Sequence, residues 1–244
     1  MSQTQRRPVS AVTAVTVMAR LTLRRTLRTG GMWWAAGIAF LPVLLAAALM
    51  GRHRADLGAG PERWREMFYV LLGLLAIIPA LLLGPAIADE KDDKTMTYLW
   101  SRPIGRWTVL AGKMLTLVPI CALVIGVALA ATFQITWGGG SQQALAHAAG
   151  AMALGCLATG SMAAALGTLA PRHPMAFAVM YMTIFDVPLG LLPMKLQELS
   201  ITHQVTQLAQ VPDRPHPAAG ALLWLGGMTA AWLAVAVWRI RRLE

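Results

Sequence analysis

The chain has 244 residues, of which 57% are hydrophobic and 13% charged, and a formal net charge of +10. A soluble globular domain carries about 25% charged residues, so the composition excludes one. No Asp, Glu, Lys or Arg occurs in residues 29–51, 67–88, 114–171 or 215–238, and a helix needs about 20 apolar residues to cross about 30 Å of hydrocarbon.

Residues 12–29 read as a helix at a membrane surface. Arg20, Arg24 and Arg28 recur every fourth residue, with Val12, Val15, Ala19 and Leu23 roughly opposite and Val17 and Leu21 within the basic arc. This pattern suits an interfacial helix leading into a first span; the competing reading is a solvated basic tail that only sets topology. Arg6-Arg7 resembles the start of an export signal, but Pro8 follows, Arg20 interrupts the apolar stretch and no convincing cleavage site comes after it. The expectation is an amino terminus kept on the mature protein.

The first span, about 32–50, opens with Trp33-Trp34, which suits headgroup level. A short loop with Arg52, Arg54, Arg63 and Arg65 leads to a second span, about 67–88, containing Pro79 and Pro85. Prolines are tolerated in spans whose neighbours satisfy the freed carbonyls, and these two are expected to bend the helix near its end. A third span, about 107–137, contains Pro119, and Gly138 to Gln143 marks the turn into a fourth, about 144–170. Gly150, Gly155, Gly160, Gly167 and many alanines permit close backbone approach, so the fourth helix is expected among the others. Pro171-Arg172-His173-Pro174 forms a tight turn into a fifth span, about 174–193. The polar segment 194–217 is expected outside, with Leu196, Leu199 and Val205 giving it a one-sided face against the membrane. A sixth span, about 218–238, ends in Arg239-Ile240-Arg241-Arg242, a stop-transfer pattern.

The expected fold is therefore an all-α integral membrane protein, one transmembrane domain over 1–244 with six spans. With the amino terminus cytoplasmic, Arg6, Arg7, Arg20, Arg24, Arg25, Arg28, Lys91, Lys94, Arg102, Arg106, Lys113, Arg172, Arg239, Arg241 and Arg242 fall inside. Arg52, Arg54, Arg63, Arg65, Lys195 and Arg214 fall outside, which gives 15 against 6 and obeys the positive-inside rule. Both termini are then cytoplasmic, and the basic charge is spent on topology rather than nucleic acid. Cys121 and Cys156 lie within spans and read as small buried apolar side chains.

Enzyme motifs fail in turn. Gly112-Lys113 looks like the end of a phosphate loop, but Met114 stands where Ser or Thr is needed and Trp107 where the leading Gly is needed. No Gly-x-Ser-x-Gly or His-Glu-x-x-His occurs, and His53, His147, His173, His203 and His216 lack metal-ligand spacing. No catalytic, cofactor-binding or metal residue is expected. Asp186 is the one charge at membrane depth, which makes it by default a functional candidate. It reads either as a substrate or cation contact in a translocation path, or as a carboxylate capping a helix broken at Pro188 or paired with an outer arginine. An intramembrane enzyme using Asp186 is disfavoured, because no second acid, base or nucleophile lies at depth.

The most polar stretch joins the second and third spans. Between Asp89 and Lys113 it holds the acids Asp89, Glu90, Asp92 and Asp93 and the bases Lys91, Lys94, Arg102, Arg106 and Lys113. Glu90 to Tyr98 is expected to form a short helix, with its acids early, where the helix dipole favours them, and Pro103 to stop it. Glu90, Lys94-Thr95, Leu99, Ser101-Arg102-Pro103-Ile104, Arg106 and Gly112-Lys113 resemble the pattern that follows the second span in permease subunits of ABC-2 type ATP-binding-cassette transporters. The departure is Lys94, where that family usually has Gly. The motif covers about 25 residues (89–113), and the six-span layout and amphipathic amino-terminal helix extend the likeness along the chain. It is similar to the small permeases of nitrous-oxide reductase maturation, drug export and gliding machinery, without singling one out.

The resemblance implies a non-catalytic exporter subunit in the bacterial cytoplasmic (inner) membrane. Segment 89–106 would be its coupling loop, seated in a groove of a separate ATPase, with Glu90, Thr95, Leu99, Ser101, Arg102, Pro103, Arg106 and Lys113 as coupling residues. It also implies two ATPase subunits per complex, a second permease copy or sister permease, and the lipid bilayer as partners. ATP and Mg would be held by the ATPase, with no cofactor in this chain. An alternative is a non-transporting membrane platform of an envelope machine energised by the same kind of ATPase.

Overall fold

The computed structural model describes residues 11–52, 60–92, 106–138, 140–192, 195–210 and 218–242. These residues are almost wholly helical, with no strand among them. In chain order the helices are α1 (Ala11–Arg28), α2 (Gly30–Arg52), α3 (Gly60–Asp92), α4 (Arg106–Trp137), α5 (Gln142–Leu169), α6 (Pro174–Leu191), α7 (Ile201–Leu208) and α8 (Ala218–Arg241). All but α1 and α7 are long and apolar enough to cross a membrane, which makes this a six-span, all-α chain.

The breaks follow local chemistry. Ser141 caps α5, its hydroxyl accepting from the Ala144 N–H at 3.2 Å, as an N-cap serine does. Pro174 occupies the first turn of α6, where its missing N–H costs nothing. Apolar residues go all round the long helices, so their periodicity does not say which helix is central; small residues and packing do. Within their spans α3 is 72% and α5 67% buried, against 22%, 17% and 22% for α2, α6 and α8.

At the end of the bundle where α3 begins, Trp64 meets Phe133 of α4 edge-on at 4.9 Å, flanked by Phe68 and Trp137. Such ring pairs contribute about 0.5–1.5 kcal/mol beyond the area they bury. At the opposite end Gly84 of α3 abuts Pro174 and Met175 of α6. Between α6 and α8, Tyr181 and Trp232 meet edge-on at 5.4 Å.

Three features depart from the sequence reading. First, α3 runs through Pro79 and Pro85 as far as Asp92. Glu90 therefore stands in the last turn of the second span's helix, and the remainder of the short helix expected over 90–98 lies outside the described residues. Second, α6 is not broken at Pro188: a π-helical turn over Tyr181–Asp186 joins α-helical Pro174–Met180 to Val187–Leu191. The wide turn precedes Pro188, which cannot donate to the ladder.

Third, the polar segment after α6 turns back into the bundle. Ile201, Gln204 and Val205 of α7 are buried, while Leu196 and Leu199 are exposed. Val205 packs against Leu75 and Gly155, near the middles of α3 and α5, so its apolar face meets helices rather than lipid. A Cβ on Gly155 would stand 2.8 Å from Val205 Cγ2 and 2.9 Å from Leu75 Cδ1, so any larger residue must push these side chains aside.

Gly155→Leu is expected to destabilise the protein by about 1–3 kcal/mol through overpacking. Gly150→Leu, on the same helix with nothing within 4 Å of its Cβ, is expected to change little. Thermal unfolding in detergent compares the two; equal shifts would contradict the seating of α7 on α5.

Candidate functional site

The ends of the polar 89–113 stretch meet at a junction of α1, α3 and α4. Lys113, about two turns inside α4, is only 6% exposed. Its Nζ donates to the carbonyl oxygen of Ala86, near the end of α3. A buried ammonium without a partner is expensive, and a hydrogen bond to a charged group contributes about 1.5–3 kcal/mol. The bond thus holds the end of α3 and the start of α4 together and fixes the separation of the loop's two ends.

Gly112, its neighbour, lets α1 lie against α4. A Cβ there would stand 2.8 Å from Met18 Cβ, 3.1 Å from the Val15 carbonyl oxygen and 3.3 Å from the Ala19 nitrogen. One turn further, the Thr116 hydroxyl donates to the Ala19 carbonyl oxygen at 3.1 Å. The Gly-Lys pair therefore ties α4 to α1 through its glycine and to α3 through its lysine. A displacement of the loop that moves any one of these helix ends must load the other two.

Of the other residues singled out in this stretch, Glu90 lies in the last turn of α3 and Arg106 is the first residue of α4. Thr95, Leu99, Ser101, Arg102 and Pro103 lie outside the described residues. The structure thus brings Lys113 to the mouth of the loop as a buried clamp.

Asp186 occupies a second polar centre, at the other end of the bundle, and is 1% exposed. Its Oδ1 accepts from the Ile201 N–H at 2.7 Å. Its Oδ2 accepts from the Thr202 N–H at 3.0 Å, the Ser200 hydroxyl at 3.3 Å and the Thr202 hydroxyl. Ser200 Oγ accepts from the His203 N–H at 3.1 Å, and the Gln204 N–H donates to the Ser200 carbonyl at 3.1 Å. The donors at the start of α7, orphaned in any helix, are all satisfied. The carboxylate also faces the positive end of that helix's dipole. Asp186 is therefore a cap, on α7 rather than on a helix ending at Pro188, and its partners are hydroxyls and backbone N–H groups rather than an arginine.

Sequence reasoning missed Ser200 and Thr202, although a serine just before a short amphipathic stretch is a legible N-cap signal. Nothing in the sequence pairs Ala86 with Lys113, or Gly112 with Met18, because helix faces in lipid carry no polar side to orient them. Among the described residues no group of three or more His, Cys, Asp or Glu comes together as a metal site would require.

A family model described as ABC-2 family transporter protein matches residues 9–239. No curated protein matches the chain.

Asp186→Asn keeps the shape but loses the charge and one acceptor, so it is expected to destabilise the protein by about 1.5–3 kcal/mol. Thr202→Val, which removes one of several donors, is expected to cost about 1 kcal/mol. Thermal unfolding of the purified variants checks the order; an Asp186→Asn protein as stable as wild type would show that the cap is not what holds α7.

Proposed function

We propose, from the premise that this chain belongs to the ABC-2 family of transporter proteins, that it is an exporter's permease subunit driven by a separate ATPase through segment 89–106. Membership in the family makes it a membrane transport subunit of an ABC transporter. The rest of the reading is ours. The observation that carries it is the buried Lys113 bonded to the Ala86 carbonyl. A loop whose ends are clamped to each other and, through Gly112, to α1 transmits a push from its tip to three helices instead of absorbing it.

In this reading Glu90, Thr95, Leu99, Ser101, Arg102, Pro103 and Arg106 meet the ATPase, while Lys113 acts behind them by holding the loop's base. Two ATPase subunits work with two membrane subunits, the second being another copy of this chain or a sister permease. ATP and Mg belong to the ATPases. Helix α1 lies at the cytoplasmic surface of the bacterial inner membrane with both termini on that side, supported by the 15 to 6 distribution of basic residues. Asp186 enters as a structural cap and not as a path residue.

Co-purification from native membranes tests the reading. An ATPase is expected with the wild-type chain and is expected to be lost from Glu90→Ala/Arg106→Ala. Lys113→Met is expected to retain the ATPase but to lower transport-coupled ATP hydrolysis about tenfold or more, the equivalent of one lost charged hydrogen bond. A wild-type chain that brings down no ATPase under conditions that preserve membrane complexes would overturn the proposal.

A further inference from the structure

Beyond Met180, α6 changes pitch. Over Tyr181–Asp186 it is π-helical, and the Val187 N–H donates to the carbonyl oxygen of Met182, five residues back. Such a turn holds one residue more than an α-helical turn. Relative to a helix that is α throughout, the end after the turn is set back by one residue, about 100° of rotation and 1.5 Å of rise. The flank before the turn is held in place: Gly84 of α3 abuts Pro174 and Met175, and Tyr181 meets Trp232 of α8 edge-on. The flank after it is held by α7. Asp186 accepts from the Ile201 and Thr202 N–H groups. Gly190, four residues on and so on the same face, lies where a Cβ would stand 2.8 Å from Ser200 Oγ.

We propose that Pro188 sets this register and that α6 has two: π-turned with α7 docked, as in this structure, and α-helical throughout with α7 released. Pro188 lies in the first turn of the segment Val187–Leu191, where a proline's missing N–H is tolerated. In a continuous α-helix it would stand in the interior, without its hydrogen bond and with its ring against the Ile184 carbonyl. The wide turn avoids that clash, and the rotation that comes with it aims Asp186 and Gly190 at the start of α7. Within the turn the Thr183 hydroxyl donates to the Val179 carbonyl at 2.9 Å, a back-bond of the kind that bends helices. Without the turn Asp186 and Gly190 would swing away together, and the Ile201 and Thr202 N–H groups would lose their acceptor. Val205 seats α7 at Gly155 of α5, so one turn of α6 decides whether α7 is joined to the centre of the bundle. Pro188 acts through Asp186 and is a positioning residue. The inference goes beyond the transport reading and does not rest on it.

Hydrogen–deuterium exchange of the full chain in detergent, read by mass spectrometry over residues 200–208, tests it. Pro188 and Val187 are both exposed, so replacing either opens no cavity in the core. Pro188→Ala restores the helical N–H, removes the ring and so admits the α-helical register. It is expected to speed exchange in α7 about tenfold or more, whereas Val187→Ala is expected to leave it unchanged. Deleting Ile184, an exposed residue of the turn, from the Pro188→Ala chain takes out the extra residue. A continuous α-helix then presents Asp186 to α7 again, and slow exchange is expected to return. A proline that merely tolerates the turn gives the opposite sign, since alanine is the better helix former. Unchanged or slowed exchange in Pro188→Ala, equal acceleration in Val187→Ala, or acceleration that the deletion fails to reverse in a folded chain would overturn the proposal. If the shortened chain does not fold, the two substitutions decide alone.

Discussion

Inside an apolar bundle a polar group has no water to fall back on, so each must be satisfied by the protein itself. Two buried side chains of opposite charge show how that constraint shapes this molecule. Lys113 finds the Ala86 carbonyl, and in doing so holds α3 to α4 at one end of the bundle. Asp186 finds the Ile201 and Thr202 N–H groups, and in doing so draws α7 back among the long helices at the other. Neither charge is placed for apolar packing. Each converts a desolvation penalty into a defined contact between segments far apart in sequence.

The consequences at the two ends differ. The Asp186 centre is saturated: one carboxylate oxygen accepts from a backbone N–H, the other from a backbone N–H and two hydroxyls, and the side chain has almost no exposure. Such a centre rigidifies, and a fully satisfied polar network specifies one arrangement. At the Lys113 centre the ammonium donates to a backbone carbonyl at the base of a long polar stretch, next to a helix, α1, that packs closely against α4 at Gly112.

Small residues set how close the helices come. In lipid there is no hydrophobic drive between helices, and packing replaces it. The alanine- and glycine-rich α5 accordingly lies at the centre, with Ala148, Ala151, Ala158 and Ala163 fully or nearly fully buried. Gly155 and Gly112 are two of the places where a missing side chain admits another segment: α7 in one case, α1 in the other. Larger side chains at the periphery, such as Leu44, Leu123 and Leu223, are exposed, as lipid-facing residues are.

The sequence by itself determined the class and the number of spans. It could do so because a charge-free run of about 20 residues has one favourable fate in a membrane. It also marked the polar loop, whose pattern resembles the family to which the chain belongs, and the small-residue helix as central. Tertiary structure alone decided which helix ends touch, that α3 continues through Glu90, and that the polar segment holding Ser200 and Thr202 folds inward. The reason is physical. A helix apolar on every side carries no face that points to its neighbour, so orientation comes from knob-and-gap fit at positions such as Gly112 and Gly155 and from the search of buried charges for partners. A sequence names those charges, but only the packed bundle brings Lys113 to Ala86 and Asp186 to the start of α7.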